Sequence, residues 1–168
     1  MSLQRWDWLR LLLASAGIGV MAYLTVVHYS GDRLLACPST GVVNCHTVLS
    51  SPQAEVLGIA ISIPGMVWFA VSGLLAGVSI MRRGGESQLF SNLSLAWTLS
   101  GMIVVIYLVY TELAIIHAIC LWCTVAHVLI AVMLVIQVLT QPLRTGAPLD
   151  SPAHLPGDPS DGDASLAG

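Results

Sequence analysis

Charge is what this chain lacks. Only 9% of its 168 residues are Asp, Glu, Lys or Arg, and the six basic residues are all arginine. A soluble domain keeps roughly a quarter of its residues charged to hydrate its surface, so this composition excludes one. Also missing are the C-x-x-C-H of haem attachment and the G-x-G-x-x-G of dinucleotide sites, which removes the sequence basis for haem, flavin or nucleotide chemistry. What fills the chain instead is apolar: 56% of residues are hydrophobic and the mean hydropathy is +0.83.

A helix crosses about 30 Å of hydrocarbon with about 20 apolar residues and bonds every backbone polar group within itself. By that measure the sequence predicts an all-α integral membrane protein, a four-transmembrane-helix bundle within residues 1–141, with spans at about 9–29, 56–81, 89–116 and 119–139. Arg82, Arg83 and Gly84-Gly85 separate the second from the third. The stretch from Leu89 to Leu139 is almost unbroken and would be about 75 Å long as one helix. A turn is therefore required, and the return of polarity between Tyr110 and Ala118 places it near His117-Ala118. Ala14-Ser15-Ala16 resembles a signal-peptidase site. The apolar stretch before it is short and continues past it, so the first run reads as a retained anchor.

Basic residues near span ends stay on the cytoplasmic side. With the N-terminus inside, Arg5, Arg10, Arg82, Arg83 and Arg144 fall inside and only Arg33 outside. Both termini are then cytoplasmic, in a multi-pass protein of the inner (plasma) membrane, and the loop Ser30 to Glu55 and the turn before Cys120 face outward. Trp6, Trp8 and Trp122 suit the interfacial aromatic belts, whereas Trp68 and Trp97 read as packing within spans. Residues 142–168 are rich in Pro, Gly, Asp and Ser and predict a disordered cytoplasmic tail.

Four cysteines stand in this setting as two pairs, Cys37 with Cys45 and Cys120 with Cys123. On the outward side disulfides persist. Cys120-Leu121-Trp122-Cys123 places two sulfurs on one face of the first turn of a helix, where unpaired amides and the positive dipole end favour a thiolate. Cys37 and Cys45 flank a Pro- and Gly-bearing loop that closes easily, and this pair reads equally as a structural staple or a redox pair. A zinc site from all four thiolates competes, but structural zinc ligands usually pair across two to four residues, which fits the second pair and not the first. Thiol-disulfide exchange explains both pairs, and a lipid quinone is the acceptor left for Cys123 to meet within the membrane.

His127 lies four residues beyond Cys123, on the same helical stripe. A histidine that deep in a span needs a partner, which is a quinone oxygen or a neighbouring helix. Glu112 is the carboxylate expected at membrane depth, either holding protons or capping the turn.

Together, Cys37, the run Cys45-His46-Thr47-Val48-Leu49-Ser50-Ser51, the run Leu57-Gly58-Ile59-Ala60-Ile61-Ser62-Ile63-Pro64-Gly65, the run Tyr107-Leu108-Val109-Tyr110-Thr111-Glu112-Leu113, and Cys120-Leu121-Trp122-Cys123 resemble the vitamin K epoxide reductase family. The closest resemblance is to bacterial members, here without a fused thioredoxin domain. The resemblance implies a helix bundle around a quinone of the menaquinone or ubiquinone type, covered by an extracytoplasmic loop. Cys37 would exchange with a separate thioredoxin-fold dithiol oxidase, Cys45 would attack Cys120, and Cys123 would reduce the quinone. Ser51 matches a serine that the family places near the loop cysteines and pocket; with His127, Glu112 and Ser62 it makes up the candidate quinone pocket, and no metal, flavin, haem or nucleic-acid partner is expected. Ser51-Pro52 also reads as a helix N-cap followed by proline at N1. Animal members carry asparagine at the position of Ile61 and tyrosine at that of His127, beside the vitamin K headgroup. The expected function is therefore a thiol:quinone oxidoreductase supporting disulfide formation. Its rivals are a vitamin K quinone or epoxide reductase and, from another class, a structural or metal-binding membrane protein. A transporter is disfavoured by the few ionisable groups in the spans and the lack of paired broken helices.

Overall fold

The computed structural model describes residues 3–30, 35–37, 41–56, 58–82 and 87–145. The expected tail lies outside these from residue 146 onward, as do Arg33 and Arg83. The elements in chain order are helix α1 (Leu3–Ser30), a short helix α2 (Cys45–Leu49), strands β1 (Glu55–Val56) and β2 (Ile59–Ala60), and helices α3 (Ser62–Met81), α4 (Gln88–Tyr110) and α5 (Leu121–Thr145). A π-helical turn, Thr111–Ile116, continues α4. Among the described residues four helical stretches are long and apolar enough to cross a bilayer: Leu3–Ser30, Ser62–Met81, Gln88–Ile116 and Leu121–Leu143. The protein is thus an all-α membrane bundle of four helices with a cysteine-bearing loop between the first two long ones.

Local chemistry sets the ends of these helices. Ser87 starts α4 by accepting the Phe90 N–H at 3.4 Å. The π-turn closes when His117 takes a left-handed conformation, φ 55°, and its N–H returns to the Glu112 carbonyl. The run from Val56 onward, expected as the start of the second span, first forms a hairpin in which Glu55 pairs with Ala60 and Val56 with Ile59. Gly58 allows the reversal at φ 77°, where a side chain would be strained. The helix itself begins at Ser62. Helix α5 continues through Pro142 to Thr145.

In lipid there is no hydrophobic drive between helices, so close packing and hydrogen bonds hold a bundle together. Helix α1 lies mainly on α3 and α4 mainly on α5, with α1 also touching α5, while α3 and α4 meet only lightly. Ala14, Phe69, Val105, Ala126, Ile130 and Met133 form the core. Gly17 lets the Phe69 ring lie directly on the α1 backbone, and Gly101 does the same for Trp68 on α4.

Away from the loop, the bundle interior also buries polar groups. Arg10 is 2% exposed; it lies 3.6 Å from Asp7 and donates to Ser94 Oγ at 2.9 Å. Ser91 and Gln137 both donate to Gln141 Oε1, at 3.1 and 3.3 Å. Arg10, counted from sequence among the arginines on the cytoplasmic side, is therefore buried between α1 and α4.

Replacing Gly17 by valine should lower stability by about 1–3 kcal/mol through overpacking, because the new side chain meets Phe69. Valine at Gly19, where the added Cβ has nothing within 4 Å, should leave the detergent melting temperature nearly unchanged.

Candidate functional site

Residues 42–44 run beside the turn that links α4 to α5. Val43 and Ile119 form a parallel bridge, with the Asn44 N–H donating to the Ile119 carbonyl at 3.1 Å and the Ile119 N–H to the Val42 carbonyl at 2.9 Å. Asn44 then caps α2, its Oδ1 accepting the Thr47 N–H at 3.2 Å. Cys45 is the first residue of α2, and Cys120 immediately precedes α5. The bridge therefore brings the two together: they are 1% and 0% exposed and share an apolar cluster with Val48 and Ala118, with Cys37 and Cys123 at its margin. Cys37 and Cys45 form a disulfide with a Cα–Cα distance of 6.2 Å, whereas Cys120 and Cys123 are free thiols.

Cys120 acts as the N-cap of α5. Its carbonyl accepts the first helical bond, from the Thr124 N–H at 2.9 Å, and its sulfur accepts the Cys123 N–H at 3.3 Å, the geometry of an N-cap side chain. The Cys123 thiol also donates to this sulfur, and together with the helix amides it outweighs burial and the nearby Glu112 charge. The Cys120 thiol is held below the ordinary cysteine value. Glu112, from the π-turn, accepts the Cys120 backbone N–H on its carboxylate. The carboxyl thus anchors the start of the C-x-x-C helix.

A cavity of about 500 Å³ opens beneath this junction, within the range of small-molecule sites. Ser51, Ser62, Glu112, Cys123 and His127 all line it, while Cys37, Cys45 and Cys120 do not. Glu112 and His127 are 6% and 9% exposed. The stacked pair Trp68 and Trp97, with centroids 6.3 Å apart and planes at 11°, forms part of the wall; both were read as packing from sequence. The remainder is mainly aliphatic, so the cavity suits a flat, largely apolar ring with few polar atoms. Those features fit a lipid quinone.

Ser51 is the N-cap residue of the 3₁₀ turn Pro52–Ala54 with proline at its start, as expected, but its side chain makes no cap bond; its hydroxyl donates back to the Val48 carbonyl at 2.7 Å. Trp122, at the start of α5, donates its indole N–H to the Ala36 carbonyl at 3.0 Å, a contact the sequence did not signal. Tyr23, which carried no signal in the sequence, accepts the Ala36 N–H on its hydroxyl at 2.8 Å. His28, at the cavity edge, was also missed and lies 3.4 Å from Glu55. Among the described residues no group of three or more His, Cys, Asp or Glu side chains could hold a metal ion.

Fold and cysteine geometry together define an integral membrane protein with paired thiol-disulfide centres above an apolar cavity. Residues 8–138 match the model of the Vitamin K epoxide reductase family, and the chain belongs to that family. Its members are membrane thiol-disulfide oxidoreductases that use quinone.

The donors on the Cys120 sulfur stabilise its thiolate, so removing the Cys123 thiol should raise the pH at which Cys120 ionises. In a Cys37→Ser/Cys45→Ser background, ultraviolet thiolate absorbance should begin its rise at higher pH after Cys123→Ala. An unchanged or lower onset would contradict this geometry.

Proposed function

We propose that this protein carries electrons from an extracytoplasmic dithiol partner to a lipid quinone and so supports disulfide formation in exported proteins. Residues 1–141 make up the membrane domain, with both termini cytoplasmic and all four cysteines on the opposite side of the membrane. The observation that carries the reading is the placement of the sulfurs: Cys45 and Cys120 are buried in one cluster, Cys37 is half-exposed beyond them, and Cys123 lines the cavity.

In this order a reduced thioredoxin-fold partner attacks Cys37 and releases Cys45 as a thiolate. Cys45 attacks Cys120 of an oxidised Cys120–Cys123 pair, forming a mixed disulfide and freeing Cys123. The partner's second thiol attacks the partner–Cys37 disulfide, closing the partner's own disulfide and freeing Cys37, which then attacks Cys45 and releases Cys120. The outcome is a closed Cys37–Cys45 disulfide and two thiols at Cys120 and Cys123, the state found in the structure. Reclosing Cys120–Cys123 gives up two electrons and two protons, which a quinone takes up on becoming a quinol. Cys123 presents the reacting sulfur, and His127 and Glu112 sit where they can hold or pass protons. Ser51 and Ser62 border the same space, although their hydroxyls are engaged with Val48 and Thr25. Ile61 also lines the cavity and has no polar atom for an epoxide oxygen, which supports plain quinone reduction.

Reconstituted protein should reduce a quinone when supplied with a reduced thioredoxin-fold oxidase. Cys123→Ala should abolish quinone reduction. Cys37→Ala should block delivery from the partner, and His127→Phe should slow turnover by about a hundredfold, the typical worth of a positioned proton donor. Full partner oxidation with normal quinone turnover by Cys123→Ala would overturn the order, and preferential turnover of vitamin K epoxide would replace the acceptor.

A further inference from the structure

We propose that Tyr23 and Trp122 are positioning residues, forming a latch on Ala36 that seats the loop disulfide over Cys120 and makes Cys45 the route by which electrons enter the membrane dithiol. The inference rests on the relay proposed above.

Residues 35–37 belong to no helix or strand, and a Cys37 N–H bond to the Leu35 carbonyl at 3.1 Å joins them only locally. Both backbone polar groups of Ala36 are nevertheless taken, the N–H by the Tyr23 hydroxyl and the carbonyl by the Trp122 indole. The two rings touch each other, with centroids 4.7 Å apart and planes at 52°, so α1 and α5 grip one residue from two sides. That residue is the neighbour of Cys37. On the far flank of the loop the Val43–Ile119 bridge fixes the neighbours of Cys45. The disulfide is thus pinned at both ends, once by backbone and once by side chains.

Trp122 stands between Cys120 and Cys123 in sequence, so the residue that holds the loop is covalently part of the site the loop must reach. Exchange requires the attacking sulfur to approach along the disulfide axis, and a displacement of about 1 Å can cost about a hundredfold. Cys120 is 0% exposed beneath this cover. An external thiol therefore meets Cys37 first, while the latched loop keeps Cys45 against Cys120.

The test uses the full chain with Cys37→Ser and Cys123→Ser, leaving Cys45 and Cys120. Glutathione disulfide oxidises their two thiols to one Cys45–Cys120 disulfide and yields two glutathione thiols. The bridged fraction at fixed glutathione ratios gives the effective concentration of one sulfur at the other. Tyr23→Phe and Trp122→Phe should each lower it about tenfold and speed alkylation of Cys120 by a small maleimide in the unbridged protein. The double variant should lose little more than either single one, because a two-sided grip fails as a unit. A general loss of structure would instead lower the melting temperature and add across variants. Tyr23→Phe removes a single hydroxyl and decides the question alone if Trp122→Phe does not assemble. Unchanged effective concentration overturns the latch, and fully additive losses overturn its action as a unit. No Cys45–Cys120 disulfide in the parent overturns the relay, and the latch with it.

Discussion

Two backbone hydrogen bonds between residues 42–44 and Ile119 fix the register on which the rest of the site depends. They join a loop before the second long helix to a turn before the fourth, 76 positions apart in the chain by the pairing of Val43 with Ile119. A one-residue slip in such a pairing would turn each side chain to the opposite face. With this register Cys45 and Cys120 enter one buried cluster, and both stand where a helix begins. The left-handed His117 and the wide turn before it bring Ile119 into reach, so the distortion at the end of the third span serves the pairing.

The cavity below that junction carries few polar groups, and most of them already have assigned partners. Glu112 is tied to the Cys120 amide, Ser51 to Val48 and Ser62 to Thr25. An apolar chamber with a few fixed polar atoms selects ligands by shape and by the position of their oxygens, since unsatisfied polar groups in such a space are costly. The paired indoles of Trp68 and Trp97 add a flat wall, made possible by the bare backbone at Gly101.

Much of this was legible in the sequence, for reasons that differ from residue to residue. The four long helices follow from composition, because a bilayer leaves the backbone no other way to bond an isolated span. The common stripe of Cys123 and His127 follows from helical spacing. The hairpin at 55–60 did not emerge, because Val56, Ile59 and Ile61 are as apolar in a strand as in a helix. What separates the two is cross-strand pairing and the positive φ of Gly58. Burial of Arg10 was likewise hidden: a charge near a span end reads as interfacial until Ser94 on another helix is placed beside it. Tyr23 and Trp122 meet across 99 positions, beyond any local pattern.

The Arg10 pair carries a consequence for how the chain is made. Its hydrogen bond to Ser94 spans 84 positions, so when α1 first enters the membrane the serine has not yet been synthesised. Asp7 lies a single turn away, at i,i+3, and emerges from the ribosome before the arginine does. The first helix therefore brings its own counter-ion into the bilayer and waits in a nearly neutral form. Docking of α4 then adds the Ser94 hydroxyl to a solvation shell that α1 began by itself.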